Sequence, residues 1–418
     1  NIDLGLLNGN NGFIVRNDTE FSSFPTTGAS VSSAGDINGD GVDDIMIGDP
    51  YRTNSTGFEL GHTHIIFGRR NGFSREFFIS ALDGTNGFTV IGVGRSENAG
   101  VEIDNLGDVN NDGIDDIAIV SAGSSFLPVA NSFIVYGTRA GFPPIIRVNE
   151  LDGTNGFVVQ DSDGTSGRIN LSAIGDINGD RINDIAAGGL ASRNYVIYGN
   201  SSIPSILDLP TINGINGFAV EYPSVNLSSQ VARTGDINGD GFDDVVFGLE
   251  FVVFGSNTLP AVVDVSTLNG TNGFAFDRVS IRNCEYAGDF NNDGIDDLII
   301  ELFNSVSILY GKNNWDSSIT LSSPSVATLS LNLDLGSGRN IEVSHAGDVN
   351  NDNIDDIIIG KYDIMSSYDI DAPAPTIFVV FGQNVPDIER PQITMCPVNQ
   401  NIASGSGLPD YTNSVVAT

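Results

Sequence analysis

Gly35–Asp44 reads GDINGDGVDD, and the phrase returns five more times. The copies are GDVNNDGIDD at Gly107–Asp116, GDINGDRIND at Gly175–Asp184, GDINGDGFDD at Gly235–Asp244, GDFNNDGIDD at Gly288–Asp297 and GDVNNDNIDD at Gly347–Asp356. Successive copies start 72, 68, 60, 53 and 59 residues apart. Six copies at this spacing make the chain an internal repeat, to be read unit by unit.

Two further phrases keep step. A short apolar run follows each acidic loop, such as Ile45–Ile47 in the first unit and Ile357–Ile359 in the last. Another apolar run ends in aromatic-Gly: Phe67-Gly68, Tyr136-Gly137, Tyr198-Gly199, Phe254-Gly255, Tyr310-Gly311 and Phe381-Gly382. A turn phrase of the LNGTNGF type stands at Leu7–Phe13, Leu82–Phe88, Leu151–Phe157, Ile212–Phe218 and Leu268–Phe274, and is lost in the sixth unit. Short Val, Ile and Phe runs bounded by Gly, Asn and Asp read as buried strands joined by tight turns. No stretch holds a helical period.

Each unit thus contains about four strands in about 60 residues, the size of a propeller blade that buries its faces against its neighbours. A β-sandwich would need about 100 residues per unit. The predicted fold is an all-β β-propeller of about six four-stranded blades over residues 1–383, with seven blades as the alternative. The opening IDLGLLNGNNGF matches the segment that follows aromatic-Gly in later units. The N-terminal strand is therefore expected to close the last blade, beside Ile377–Gly382, and so to remove open sheet edges.

The loops carry the chemistry. Asp36, Asn38, Asp40 and Asp44 fill positions 1, 3, 5 and 9, with Gly41 at position 6 and the Val42 carbonyl at position 7. Alternate oxygens on a tightly curved loop converge, and hard oxygen donors in a flexible cage suit Ca²⁺. The same set recurs as Asp108, Asn110, Asp112, Ile114 and Asp116, and as Asp176, Asn178, Asp180, Ile182 and Asp184. It continues as Asp236, Asn238, Asp240, Phe242 and Asp244, then Asp289, Asn291, Asp293, Ile295 and Asp297, and last Asp348, Asn350, Asp352, Ile354 and Asp356. No Cys or His stands among these donors, which excludes zinc. An EF-hand is excluded too, because position 12 is Ile47 rather than Glu and strands flank the loop. Position 8, such as Asp43, is expected to point outward. Arg181 and Asn353 replace Gly at position 6, where a positive φ is expected; Arg tolerates it least, so the third loop is expected to be the weakest.

Residues Gly28–Pro50, GASVSSAGDINGDGVDDIMIGDP, resemble an FG-GAP repeat, the calcium-binding blade unit of integrin α-chain propellers and of many secreted proteins. The resemblance extends over nearly all of residues 1–383 and implies a cell-surface or extracellular setting. It departs from the pattern in the Gly-Ala-Pro element, which survives only as Gly48-Asp49-Pro50. Integrin propellers have seven blades, hence the alternative above. Residues 384–418 form a linker and a segment, Pro391–Thr418, that resembles the opening strands of a hyalin (HYR) repeat, an immunoglobulin-like adhesion module. Its Cys396-Pro397 and Leu408–Thr412 carry that likeness.

Composition bounds the partners. With 53 acidic and 18 basic residues the net charge is −35, which repels nucleic acid and anionic membrane surfaces. Nothing apolar is long enough to span a membrane. Two cysteines, Cys284 and Cys396, allow at most one bridge. No HExxH, Walker A, CxxC or GxSxG sequence appears, so an enzyme is not expected. His62 and His64 alternate on one strand and are expected to face solvent, while Trp315 is the aromatic on which a sugar would stack. Asn17, Asn54, Asn170, Asn200, Asn226 and Asn269 are glycosylation sequons. The expected partner is an extracellular protein, a glycan, or copies of the chain itself in a fibre or surface layer built through the C-terminal segment. Alternative readings are a propeller lectin and part of a larger secreted enzyme.

Overall fold

The computed structural model describes residues 7–9, 11–18, 26–54, 56–123, 130–163, 168–188, 193–221, 230–277, 281–302, 305–321, 328–332, 339–363 and 376–383. The HYR-like segment, Cys396 and Asn226 lie outside these residues. Two compact units divide the chain. One holds the residues up to Asp236 with Asp240–Ala275 and Asn314–Ser318; the other holds Ile237–Gly239, Phe276–Asn313 and the described residues from Ile319 on.

The first unit carries four blades, each an antiparallel meander. Blade 1 runs Ser30–Gly35, Asp44–Asp49, His62–Ile66, Gly87–Ile91. Blade 2 runs Glu102–Gly107, Asp116–Val120, Ala130–Val135, Gly156–Asp161. Blade 3 runs Asn170–Gly175, Asp184–Gly188, Arg193–Ile197, Gly217–Glu221. Blade 4 runs Val231–Gly235, Asp244–Phe247, Phe251–Val253, Gly273–Phe276. The second unit carries blade 5 (Ile281–Gly288, Asp297–Leu302, Ser305–Leu309, Thr328–Asn332) and blade 6 (Arg339–Gly347, Asp356–Asp363, Thr376–Val380). The described residues therefore hold six blades, the predicted all-β propeller class, and the helical segments among them are single 3-10 turns such as Val148–Glu150. No helix among them is long and apolar enough to cross a membrane.

The cores lie between blades rather than within them, because each sheet has two apolar faces to cover. Met46, Ile65 and Phe88 of blade 1 pack against Ile117, Ile119 and Phe133 of blade 2. Blades 2 and 3, 3 and 4, and 5 and 6 share similar clusters. The repeated phrases meet inside them. The aromatic before Gly and the Phe of the turn phrase form tilted or edge-on pairs at 6.0 Å (Phe67–Phe88), 5.9 Å (Tyr136–Phe157), 6.2 Å (Tyr198–Phe218) and 6.0 Å (Phe254–Phe274), a geometry that suits the ring quadrupoles.

A parallel strand from the following unit edges each of the first three blades: Ile145–Arg147, Ile206–Asp208 and Val262–Asp264. Ile14–Arg16 makes the same parallel pairing with Glu76–Phe78. The N-terminal strand thus takes a fourth strand's part in the pattern, and Phe13 and Val15 beside it pack on Ile47, Ile66 and Phe77. Blade 6 has three strands among the described residues.

Candidate metal centres

All six loops sit in the hairpin between a blade's first two strands, and every hairpin shifts register just before the loop, as at Ser33/Gly35 and His345/Gly347. A bulge of this kind re-aims the chain at the loop entrance. The loop then closes on its first aspartate. Asp36 accepts the Asp40 N–H on Oδ1 and the Gly41 N–H on Oδ2, both at 2.8 Å. The pair repeats on Asp108, Asp176, Asp236, Asp289 and Asp348. Position 6 has a positive φ even where it is not glycine: +71° at Arg181 and +64° at Asn353. The third and sixth loops therefore keep the common shape, at a strain that falls chiefly on Arg181.

Position 9 is a buried carboxylate. Oδ1 of Asp44, Asp116, Asp184, Asp244, Asp297 and Asp356 accepts the N–H of the glycine in the aromatic-Gly pair, at 2.7–2.9 Å. In loops 2, 3, 5 and 6 the other oxygen accepts the N–H of position 2. Burial pushes Asp44 up to about 7 and Asp116 and Asp184 up to about 8, and in each the charges at positions 5 and 1 add to the rise. In loops 1 and 3 the position 3 amide approaches position 9, with Asn38 Nδ2 3.3 Å from Asp44 Oδ2 and Asn178 Nδ2 3.5 Å from Asp184 Oδ1.

Position 8 departs from expectation in part. Asp43 in loop 1 is exposed as expected, but in loops 2, 4 and 6 the side chain reaches the preceding blade instead of solvent. The Asp36 N–H donates to Asp115 Oδ2 at 2.8 Å, Asp176 N–H to Asp243 Oδ2 at 2.8 Å and Asp289 N–H to Asp355 Oδ2 at 3.1 Å. Asp355 is also held from its own blade, with His345 Nε2 2.9 Å from its Oδ1, and the position 8 carboxylate of loop 5, Asp296, accepts the Tyr286 hydroxyl of its own blade at 3.1 Å. The glycine that opens the loop makes room for a position 8 side chain of the following blade in loops 1, 2, 3 and 5. At Gly35, where φ is +58°, a Cβ would lie 2.1 Å from Asp115 Oδ2. The sequence signal was an Asp or Asn at position 8 in every copy with no part in the ligand set.

Do these residues fit a cation? Among the described residues no three acidic or histidine side chains already converge on one point; position 9 is directed at amides, and position 1 at the amides of its own turn. The donors are nevertheless all hard oxygens, and a carboxylate oxygen that accepts one N–H keeps a lone pair. Loop 2 supplies the decisive observation: Oδ1 of Asn110, at position 3, is buried without a hydrogen-bond partner among the described residues. An unmet acceptor of this kind is costly unless an ion or water satisfies it. The loops fit Ca²⁺.

The other singled-out residues are structural. His64 is buried, not solvent-facing: its Nδ1 lies 3.0 Å from the Thr89 hydroxyl, and its ring is 5.9 Å from that of His62. Trp315 is 8% exposed and stacks on Phe274 at 4.5 Å, so the ring face on which a sugar would lie is covered. Cys284 is a fully buried thiol, pushed up by burial and then by Glu285 and Glu301. Of the sequons, Asn200 and Asn269 are exposed. Asn17 instead donates to Thr27 and Asp49.

An FG-GAP repeat profile matches residues 27–59. Integrin alpha-4 of Xenopus laevis is 30% identical over 170 residues, which is 41% of this chain and 15% of that protein; the chain spans well under two thirds of that relative's length. Among solved structures, BBS1N in complex with ARL6DN aligns over 81% of this chain and 79% of its own, at 11% identity and a TM-score of 0.41. A humanized mutant of the Chaetomium thermophilum Polycomb Repressive Complex 2 aligns over 80% and 65%, at 9% identity and a TM-score of 0.42.

Proposed function

We propose that this chain is a calcium-stabilised propeller module of an extracellular or cell-surface protein, working in adhesion or structural assembly by binding rather than by catalysis. The observation that carries the reading is the sixfold oxygen loop, with its orphaned Asn110 Oδ1 in the second copy. The FG-GAP match and the partial likeness to an integrin α-chain support the extracellular setting.

The residues at positions 1, 3, 5 and 9 and the carbonyl at 7 would hold the ion in each loop. Bound there, Ca²⁺ supplies a dication that offsets the mutual repulsion of three carboxylates. The loops contain 23 aspartates, four in each but three in the third, where Asn183 stands at position 8. Six ions would bring the chain from −35 to −23. The remaining acidity still keeps polyanions away and would let basic or glycan-bearing partners approach.

The size of the effect makes the reading testable. Sites with Kd of about 10⁻⁴ M, the weak extracellular class, gain about 1.4 kcal/mol each at about 1 mM Ca²⁺. Six would give about 8 kcal/mol, as much as a whole domain's net stability. Chelation by EGTA is expected to lower the melting temperature by about 10 °C or more. A melting curve that ignores EGTA would refute structural calcium.

A further inference from the structure

Loop 2 holds a second buried oxygen that its own hydrogen bonds leave unmet. The hydroxyl of Tyr136 is sealed from solvent and, like Asn110 Oδ1, has no hydrogen-bond partner among the described residues. Tyr136 is 6% exposed and is the aromatic of its aromatic-Gly pair. The Gly137 N–H, donated to Asp116 Oδ1 at 2.8 Å, anchors the residue to position 9 of the loop. Its ring, with Asp112, Thr138 and Phe142, lines a cavity of about 250 Å³, open enough for several waters.

A phenol keeps its proton at neutral pH, so the group is an O–H donor, and it shares the wall of this cavity with Asp112 at position 5. A buried donor facing carboxylates but bonded to none lacks an acceptor of its own. A water held on a cation is such an acceptor, and the neutral phenol oxygen is itself a poor direct ligand beside carboxylates.

We propose that the Tyr136 hydroxyl is an outer group of the second cation site, donating to a water held at the ion on the side of Asp112. This rests on the calcium reading above and adds a difference between loops. Phe67, Phe254 and Phe381 stand at the same place in loops 1, 4 and 6 and lack the hydroxyl. Loop 2 is then built to bind more tightly than loop 1.

The test follows Ca²⁺ titrations by amide NMR of the whole chain. The Gly113 amide, bonded to Asp108 Oδ2 at 2.7 Å, reports loop 2, and the Gly41 amide, bonded to Asp36 Oδ2 at 2.8 Å, reports loop 1. Tyr136→Phe is expected to weaken the Gly113 midpoint about fivefold, the size of one hydrogen bond, and to leave Gly41 unmoved. An unchanged Gly113 midpoint overturns the proposal while the calcium reading stands. If neither amide responds to Ca²⁺ in the unmodified protein, both fall. Should Tyr136→Phe fail to fold, the Cζ resonance of Tyr136 in the unmodified protein decides: it is expected to titrate with Gly113, and a resonance indifferent to Ca²⁺ overturns the proposal.

Discussion

The main-chain N–H of Asp36 donates to Oδ2 of Asp115 at 2.8 Å, joining the first blade's loop to the second blade's hairpin across 79 residues of sequence. The bond is charge-assisted and partly buried, a class worth about 1.5–3 kcal/mol. Because Asp115 sits beside the ligands without being one, its effect is separable from metal binding. Asp115→Ala is expected to cost about 2 kcal/mol in urea denaturation, with and without Ca²⁺. Gly35→Ala should also be costly, because its Cβ would meet the same carboxylate at 2.1 Å. The two substitutions together should cost less than their sum, since removing the carboxylate clears the collision. Strict additivity would refute the contact.

That bond also shows where the sequence stops being informative. Loop spacing, the aromatic-Gly strands and the turn phrase were all legible, because each is local and repeated. The partner of position 8 was not, since it lies on the preceding blade and leaves no local pattern. His62 and His64 make the same point. Their alternation placed both on one face, and the register confirms it, with His64 between Ile47 and Thr89. Whether that face is wet depends on Val15 and Phe77, which cover Ile47 from strands remote in sequence. Trp315 likewise looked isolated, yet Phe274, some 40 residues earlier, hides its face.

Arg181 holds φ at +71° where four sister loops have glycine. The left-handed region costs a β-carbon residue about 1–2 kcal/mol, part of which glycine gives back as unfolded-chain entropy. Arg181→Gly is expected to stabilise the protein by about 0.5–1 kcal/mol, read as a higher urea midpoint. Asn353→Gly should be nearly neutral, because Asn already tolerates this conformation. Equal effects at both positions would contradict the strain argument.

Acid should loosen blade 1. Burial and the Arg52 charge bring His62 down to about 4, with Asp49 opposing; burial, His62 and Arg52 bring His64 down to about 3. An unfolded histidine titrates near 6.5, so below that pH the unfolded chain takes up protons that the folded one refuses. Their contribution is intact above about 6.5 and is lost progressively as pH falls toward 4, by up to about 1.4 kcal/mol per pH unit for each histidine. Between pH 6.5 and 4.5 the two histidines push melting temperatures down, against the opposite pull of the raised position 9 carboxylates. His62→Gln/His64→Gln should remove that downward contribution whatever it does to stability at pH 7. An unaltered slope in the double variant would assign the acid sensitivity elsewhere.

Asp108 separates the two jobs of position 1. Its oxygens accept the N–H groups of Asp112 at 3.0 Å and Gly113 at 2.7 Å, which shape loop 2 with or without an ion. Asp108→Asn keeps one acceptor oxygen and removes the charge. In EGTA only the hydrogen-bonding loss remains, about 1 kcal/mol. In about 1 mM Ca²⁺ the site's mass-action gain of about 1.4 kcal/mol is lost as well, so the deficit should more than double. A cost that is the same in both conditions would mean that the acidic loops are hydrogen-bonded turns and nothing more. A Ca²⁺-dependent cost would tie the charge at position 1 to the ion, because both measurements share every other feature of the folded loop.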